Sequence, residues 1–439
     1  MLNPRLPYTL LLWLLLPYIF VRLIWRARKQ PEYLRHVGER FGFYSARDEK
    51  LSSVRPSDKP VIWLHAVSVG ETRATQNLVT RLRATYPHHQ ILLTHTTPTG
   101  RAAGEQLYGD SVLRVYLPYD YPFAVNKFLR RFRPQLGILM ETEIWFNLIH
   151  ACHETGIPLL LLNARMSEKS ARGYARFASL TRNALNKLSA VAAQTADDAA
   201  RLTDLGALNV SVTGNLKFDI EPPPAMLELG MQLRVQFGVA RKVFLAASTR
   251  AGEEALLLDA LKKLPIPDLL LVIVPRHPQR FTEVANLLEQ RGIAFQRRSA
   301  NRAVEAEVQV VLGDSMGEMF AYYAAADLAF IGGSLLPYGG QNLIEACAVG
   351  TPVLVGPHTH NFAEATRLAV NAGAALQVSD ADGLIAGLQR LLEDTPGMQN
   401  SATLNEMRSQ CIGFVKLNRG TTDKALQIIM PVVESASRG

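Results

Sequence analysis

Short apolar runs, each long enough for one strand and separated by stretches of helical pattern, recur through most of this chain. Val61–Leu64, Ile91–Thr94, Val112–Leu117, Leu136–Met140, Pro158–Leu162, Ala190–Ala193 and Val210–Val212 form a first series. A second follows at Val243–Ala247, Leu269–Val274, Val308–Leu312, Leu328–Ile331, Pro352–Val355 and Ala374–Val378. Parallel strands covered by helices on both faces read as continuous apolar runs, and each needs a crossover helix before the next. Between the series lies Gly214-Asn-Leu-Lys-Phe-Asp-Ile-Glu-Pro-Pro-Pro, ending at Pro224. Three consecutive prolines continue neither a helix nor a central strand, so the domain linker belongs there. The expected fold is α/β: two doubly wound, Rossmann-like domains, residues 30–220 and 221–420, facing a central cleft at the carboxyl ends of their strands. A chain of 439 residues has room for two such cores. A last helical segment, residues 421–439, could pack on either domain.

Residues 1–29 are of another kind. From Leu6 to Trp25 the sequence is almost wholly Leu, Ile, Phe, Trp, Tyr and Val, broken by Pro7, Thr9, Pro17 and Arg22. That length just suffices for a membrane span. Arg22, Arg26, Arg28 and Lys29 follow the run while Arg5 alone precedes it, the reverse of a cleaved signal peptide. The bias predicts a membrane anchor with the domains on the cytoplasmic side; the competing reading is an interfacial or core helix, because two prolines weaken a span. Arg35, His36 and Arg40 beside Tyr33, Phe41 and Phe43 extend a surface suited to anionic headgroups. The formal charge of +8 suits an acidic partner, but the basic residues are dispersed and carry no nucleic-acid motif, which ranks nucleic acid last. Cys152, Cys347 and Cys411 have no metal-ligand spacing and read as reduced thiols.

Candidate chemistry gathers at the ends of the apolar runs. The stretch from Ile331 to Pro357 joins a strand end, glycines at 332, 333, 339 and 340, a short helix and a further strand. Its glycines let the backbone turn tightly and bring amides to a phosphate, Asn342 can cap the helix, and Glu345 sits where a carboxylate could accept ribose hydroxyls. His65-Ala-Val-Ser-Val-Gly-Glu71 puts an acid at a helix start; such glutamates usually only cap, but this one follows a strand end where a base would stand. His65 itself reads as a packed or hydrogen-bonded residue. Glu141 and Glu143 emerge together after another strand, with Glu141 expected to face the cleft. Asn163-Ala-Arg165 follows a further strand, and Lys217 lies within the linker motif. Arg276 could hold a phosphate bidentately, and Met316 and Gly317 open a turn that can offer backbone groups. No paired-acid metal motif and no nucleophilic serine elbow stands out, so no metal or cofactor is expected.

Taken together, His65–Glu71, Glu141–Asn147, Asn163–Arg165, Gly214–Asp219, Pro275–His277, Gly313–Glu318, Gly332–Phe362 and Glu39-Arg-Phe-Gly42 resemble the 3-deoxy-D-manno-octulosonic acid (Kdo) transferases of lipopolysaccharide synthesis. The likeness spans nearly the whole chain. It implies a GT-B glycosyltransferase that moves Kdo from CMP-Kdo to a lipid A precursor with inversion and without a metal in the transfer step. It implies Glu71 as general base, with Glu141 and Lys217 stabilising the transition state. Pro275, Arg276, Met316, Gly317, Glu318, Asn342, Leu343, Ile344 and Glu345 would hold CMP. Gln341 stands where many relatives have histidine, and Phe146 where many have proline. Two other readings share parts of this pattern: a membrane-associated transferase using a UDP-sugar and a lipid acceptor, and a non-catalytic binding protein of the same fold.

Overall fold

The computed structural model describes residues 4–44, 59–264, 266–392 and 400–436. The chain divides into two compact units, Met1–Asp219 with Gly420–Gly439, and Ile220–Arg419.

In the first unit β1 (Val61–His65), β2 (Gln90–His95), β3 (Leu113–Tyr116), β4 (Pro134–Met140), β5 (Leu159–Ala164), β6 (Ala190–Ala193) and β7 (Val210–Val212) form one sheet in the order β3-β2-β1-β4-β5-β6-β7. All neighbours pair in parallel. Alternate residues of each strand enter opposite cores: Trp63, Leu92, Leu139 and Leu161 pack on one face, and Ile62, Leu93, Ile138 and Leu160 on the other. This double burial is why the strands read as continuous apolar runs. Gly137 is part of the fit, since a Cβ there would lie 2.8 Å from the Trp63 indole. The Trp63 Nε1–H donates to Thr94 Oγ1 at 2.8 Å, so the largest core side chain buries no unpaired polar atom.

The second unit has its own seven-stranded sheet, made of β8 (Lys242–Thr249), β9 (Leu269–Pro275), β10 (Phe295–Arg297), β11 (Val310–Leu312), β12 (Leu328–Ile331), β13 (Val353–Val355) and β14 (Ala375–Gln377). The order is β10-β11-β9-β8-β12-β13-β14, again parallel throughout. The apolar runs missed one strand, β10. It lies at the sheet edge, and its Phe-Gln-Arg sequence is too short and polar to signal a buried strand.

The final helix, Thr421–Ala436, packs on the first unit, where Ala425, Leu426, Ile429 and Val433 join the core containing Leu78, Leu82 and Ile138. Its start is held by the Asp219 carboxylate, which accepts the Gly420 N–H at 2.7 Å and the Thr422 N–H.

The N-terminal apolar run is not one helix. It forms Arg5–Leu14 and Leu16–Ala27, bent by 51°, and among the described residues no single helix is long and apolar enough to cross a membrane. Pro17 sits in the first turn of the second helix, where it removes a backbone donor and its ring crowds the preceding turn. Arg40 also departs from the headgroup-facing role expected of it. It is buried, its guanidinium lies 4.1 Å from the Tyr116 ring centroid, and Nη1 donates to the Thr96 carbonyl.

Asp120 joins three parts of the first unit. Its carboxylate accepts the Asn147 and Leu148 N–H groups at 2.9 and 2.8 Å, capping the helix Phe146–Glu154, and accepts the Tyr8 hydroxyl at 2.9 Å. Burial pushes Asp120 up to about 7 against the pull of those hydrogen bonds. We expect Asp120→Ala to lose about 2–3 kcal/mol, read as a lower Tm in detergent. An unchanged Tm would show that the helix start is held by other means.

Candidate active site

A cluster of ionisable groups lies at the carboxyl ends of β1 and β4 in the first unit. β1 ends at His65, and the following turn starts the helix Val69–Ala74, which Ser68 caps by accepting the Glu71 N–H at 3.3 Å. Glu71 returns the contact: Oε1 accepts the Ser68 hydroxyl and Oε2 the Val67 N–H, both at 2.9 Å. Glu71 therefore caps its own helix, as a glutamate at this spacing does. Each carboxylate oxygen still keeps accepting capacity. Burial pushes Glu71 above the usual carboxylate range, hydrogen bonds from Val67 and Ser68 oppose this, and the nearby Glu141 charge adds to the rise.

Glu141 follows β4 in a left-handed conformation, φ 57°, an uncommon one for a residue with a side chain. Its Oε1 lies 3.5 Å from Lys217 Nζ. Glu143 points to different partners: Oε2 accepts the Trp145 Nε1–H at 2.6 Å and lies 3.8 Å from His65 Nε2. Burial raises Glu143, but His65 and the indole N–H outweigh it and hold the group below its ordinary range. His65 is fully buried, its Nδ1 within hydrogen-bond distance of both the carbonyl and the hydroxyl of Thr94. The structure thus brings Glu71, Glu141 and Lys217 together and adds the pair Glu143–His65. Glu143 was visible in the sequence only as a neighbour of Glu141, because nothing local says which strand a carboxylate will reach.

In the second unit the named residues fall on three strand ends. Pro275 closes β9, and Arg276 Nε donates to Gln341 Oε1 at 3.2 Å. Gln341 thus holds the arginine at its Nε. Met316 is exposed, and Gly317 adopts φ 83° with open space around its Cα. Glu318 accepts the Ser315 hydroxyl at 2.7 Å and pairs with Arg298. Asn342 Oδ1 accepts the Ile344 N–H at 3.0 Å, and its Nδ2 donates to Glu345 Oε1 at 3.1 Å. Leu343 and Ile344 are fully buried, and the Ile344 N–H is already held by Asn342.

The glycine loop differs from the expected phosphate cradle. Gly332 N–H donates to the Ala247 carbonyl, Gly340 N–H to the Gly333 carbonyl, and Gly333 N–H to the buried Glu253 carboxylate at 2.6 Å. Glu253 also accepts the Leu335 N–H at 3.1 Å and the Arg250 N–H at 2.9 Å. The Gly333 amide is thus taken by Glu253 and those of Gly332 and Gly340 by backbone carbonyls, and Gly332 also serves backbone approach: a Cβ there would meet the Ser248 carbonyl oxygen at 2.4 Å. Glu253 was missed because its sequence context, a helix start, is that of any first-turn acid. Among the described residues no group of three or more His, Cys, Asp or Glu is placed to hold a metal ion.

Two parallel-sheet α/β units, with polar and charged groups gathered at strand ends, form a GT-B-like architecture, and two family models place it among the glycosyltransferases. A family model described as glycosyl transferases group 1 matches residues 254–410, and one described as 3-deoxy-D-manno-octulosonic-acid transferase matches residues 35–220. The chain belongs to the 3-deoxy-D-manno-octulosonic acid transferase family. It is 46% identical to the 3-deoxy-D-manno-octulosonic acid transferase of Bordetella pertussis over 85% of this chain and 88% of that protein. It is 38% identical to the Haemophilus influenzae transferase of the same name, over 97% and 98% respectively. A solved glycosyltransferase from Rickettsia africae shares the fold at TM-score 0.55 and 16% identity, covering 86% of this chain and 99% of that one.

Proposed function

We infer that the protein transfers Kdo from CMP-Kdo to the hydroxyl of a lipid A precursor, with inversion at the anomeric carbon, in lipopolysaccharide biosynthesis. The observation that carries this reading is the group formed by Glu71, Glu141 and Lys217, on a chain whose family is that of the Kdo transferases. Breaking the bond from the Kdo anomeric carbon to the CMP phosphate leaves positive charge on the sugar and negative charge on the departing nucleotide. Glu71 takes the proton from the acceptor hydroxyl as its oxygen attacks, Glu141 offsets the sugar's charge, and Lys217 stabilises the negative charge that develops. In the second unit, Arg276 held by Gln341 answers the departing phosphate. The backbone of Met316–Glu318 and of Asn342–Glu345, with the Glu345 carboxylate, takes the nucleoside.

The N-terminal helix pair is the membrane anchor in this reading, with both units on the cytoplasmic side of the inner membrane. Leu10, Leu14, Tyr18, Val21 and Trp25 are exposed along the bent pair, and Arg22, Arg26, Arg28 and Lys29 follow or flank them. An apolar face flanked by basic residues suits an anionic bilayer surface, where the acceptor's acyl chains remain while its sugar reaches the protein. The full chain is expected to float with phosphatidylglycerol-containing vesicles. Loss of flotation in a Leu14→Glu/Val21→Glu variant supports the anchor, and equal flotation of that variant removes it.

Incubation with CMP-Kdo should add Kdo mass to a tetraacylated lipid A precursor, read by mass spectrometry. CMP, and not UDP, should raise the Tm; protection by UDP alone would point to a UDP-sugar donor, and no mass gain would end the transferase assignment.

Because Glu71 must be deprotonated to accept a proton, activity rises with pH through its raised pKa. The acid limb of kcat/KM is expected above the ordinary glutamate value of about 4.3. Ser68→Ala removes a donor to the carboxylate and should move that limb up, while Glu141→Gln removes a like charge and should move it down. Glu71→Gln should keep the fold and cost roughly 10²–10⁴ in kcat. A limb unmoved by either neighbouring substitution would assign the titration to another group.

A further inference from the structure

We propose that Asn163 and Gln194 are positioning residues for the transfer, holding the turn 213–217 so that the Lys217 ammonium stands against Glu141. The inference rests on the reading of Lys217 given above.

Asn163 bears two costs at once. It is 2% exposed, and it adopts φ 52° at the end of β5, where the pairing with β6 shifts register between Leu161 and Ala164. A buried amide and a left-handed backbone each need compensation from their surroundings. The amide Nδ2 has no hydrogen-bond partner, so what compensation there is comes through the amide oxygen, and it leads toward Lys217. Asn163 Oδ1 accepts the N–H of Leu216, the residue before the lysine, at 3.0 Å. The Asn163 carbonyl accepts Gln194 Nε2 at 2.9 Å, and Gln194 Oε1 accepts Asn215 Nδ2 at 3.0 Å. Asn215 Oδ1 in turn accepts the Lys217 N–H at 3.0 Å. Two ties therefore run from Asn163 to this turn: its side-chain amide to Leu216, and its backbone carbonyl through the Gln194 and Asn215 amides to the lysine's own peptide.

Glu141 is tied to the same place. Its N–H donates to the Leu162 carbonyl at 3.1 Å and its carbonyl accepts the Arg165 N–H at 3.4 Å, on either side of Asn163. Both members of the Glu141–Lys217 pair are thus referenced to one short stretch of β5, the acid through its backbone and the lysine through the amide path. A clamp needed only to hold the linker would require the bonds to Leu216 and Asn215. It would not require Glu141 to take a left-handed backbone beside the same residue. Displacing a catalytic group by about 1 Å can cost 10²-fold in rate, and a path of four fixed hydrogen bonds restricts such displacement.

The test is a double-mutant cycle on the full chain in detergent, with CMP-Kdo and the tetraacylated precursor, measuring kcat and KM. Asn163→Gly removes the side chain while tolerating the left-handed backbone. It should lower kcat about 10- to 100-fold with the KM for CMP-Kdo little changed. Asn163→Gly combined with Lys217→Ala should have the kcat of Lys217→Ala alone, because the group being positioned is gone. Gln194→Ala should follow the same pattern, and it replaces Asn163→Gly in the cycle if that variant does not fold by circular dichroism. Losses that multiply in the double variant, or unchanged kcat in both single variants, overturn the positioning role. Wild-type kcat in Lys217→Ala instead removes the role assigned to the lysine, and the proposal with it.

Discussion

A parallel sheet pairs its strands internally but leaves peptide groups unpaired where each strand gives way to a turn, and in this protein buried carboxylates take up many of them. Asp120 accepts two N–H groups at the start of Phe146–Glu154, and Asp198 accepts the Met166 N–H at 2.7 Å after β5. Glu39 accepts the Tyr116 N–H at the end of β3, and Glu253 accepts three amides around the glycine loop. A carboxylate hydrogen-bonded to backbone amides is a strong and directional tie, whereas the same amide left buried and unpaired would cost about 1–3 kcal/mol. The loops that carry the candidate chemistry are anchored in this way.

Glu71 shows how such a tie shades into function. It belongs to a helix cap of ordinary type, bonded to Ser68 and Val67. Two features separate it from a plain cap: burial that favours its protonated form, and a second carboxylate, Glu141, near enough to add to that effect. Asp120 is more completely buried and also raised, yet its oxygens are committed to Tyr8, Asn147 and Leu148. Perturbation alone does not mark a catalytic group; what distinguishes Glu71 is its place near Glu141, which itself pairs with Lys217.

Much of the architecture was legible before the structure. Thirteen of the strands coincide with apolar runs because burial on both faces suppresses alternation, and β10 escaped because an edge strand is under no such pressure. The site was legible as a set of motifs at strand ends, but its internal pairing was not. Glu141 and Glu143 are two residues apart, yet one meets Lys217 and the other meets His65 and Trp145. In the glycine loop, too, the partners come from far along the chain: Gly332 packs closely against Ser248, and the Gly333 and Leu335 amides meet Glu253.

The sequence by itself determined the strands other than β10, the crossovers and the family, since these depend on periodicity and on residues close together along the chain. Tertiary structure alone decided that the last helix packs on the first unit through Ile429 and Val433, that the N-terminal run bends, and that Arg40 turns inward onto Tyr116. It also decided which amide each carboxylate and carboxamide would meet, as with Gln194 and Asn215. The physical reason is that a backbone N–H is chemically the same at every non-proline residue, so a distant acceptor carries no local sign of the partner that folding will bring to it.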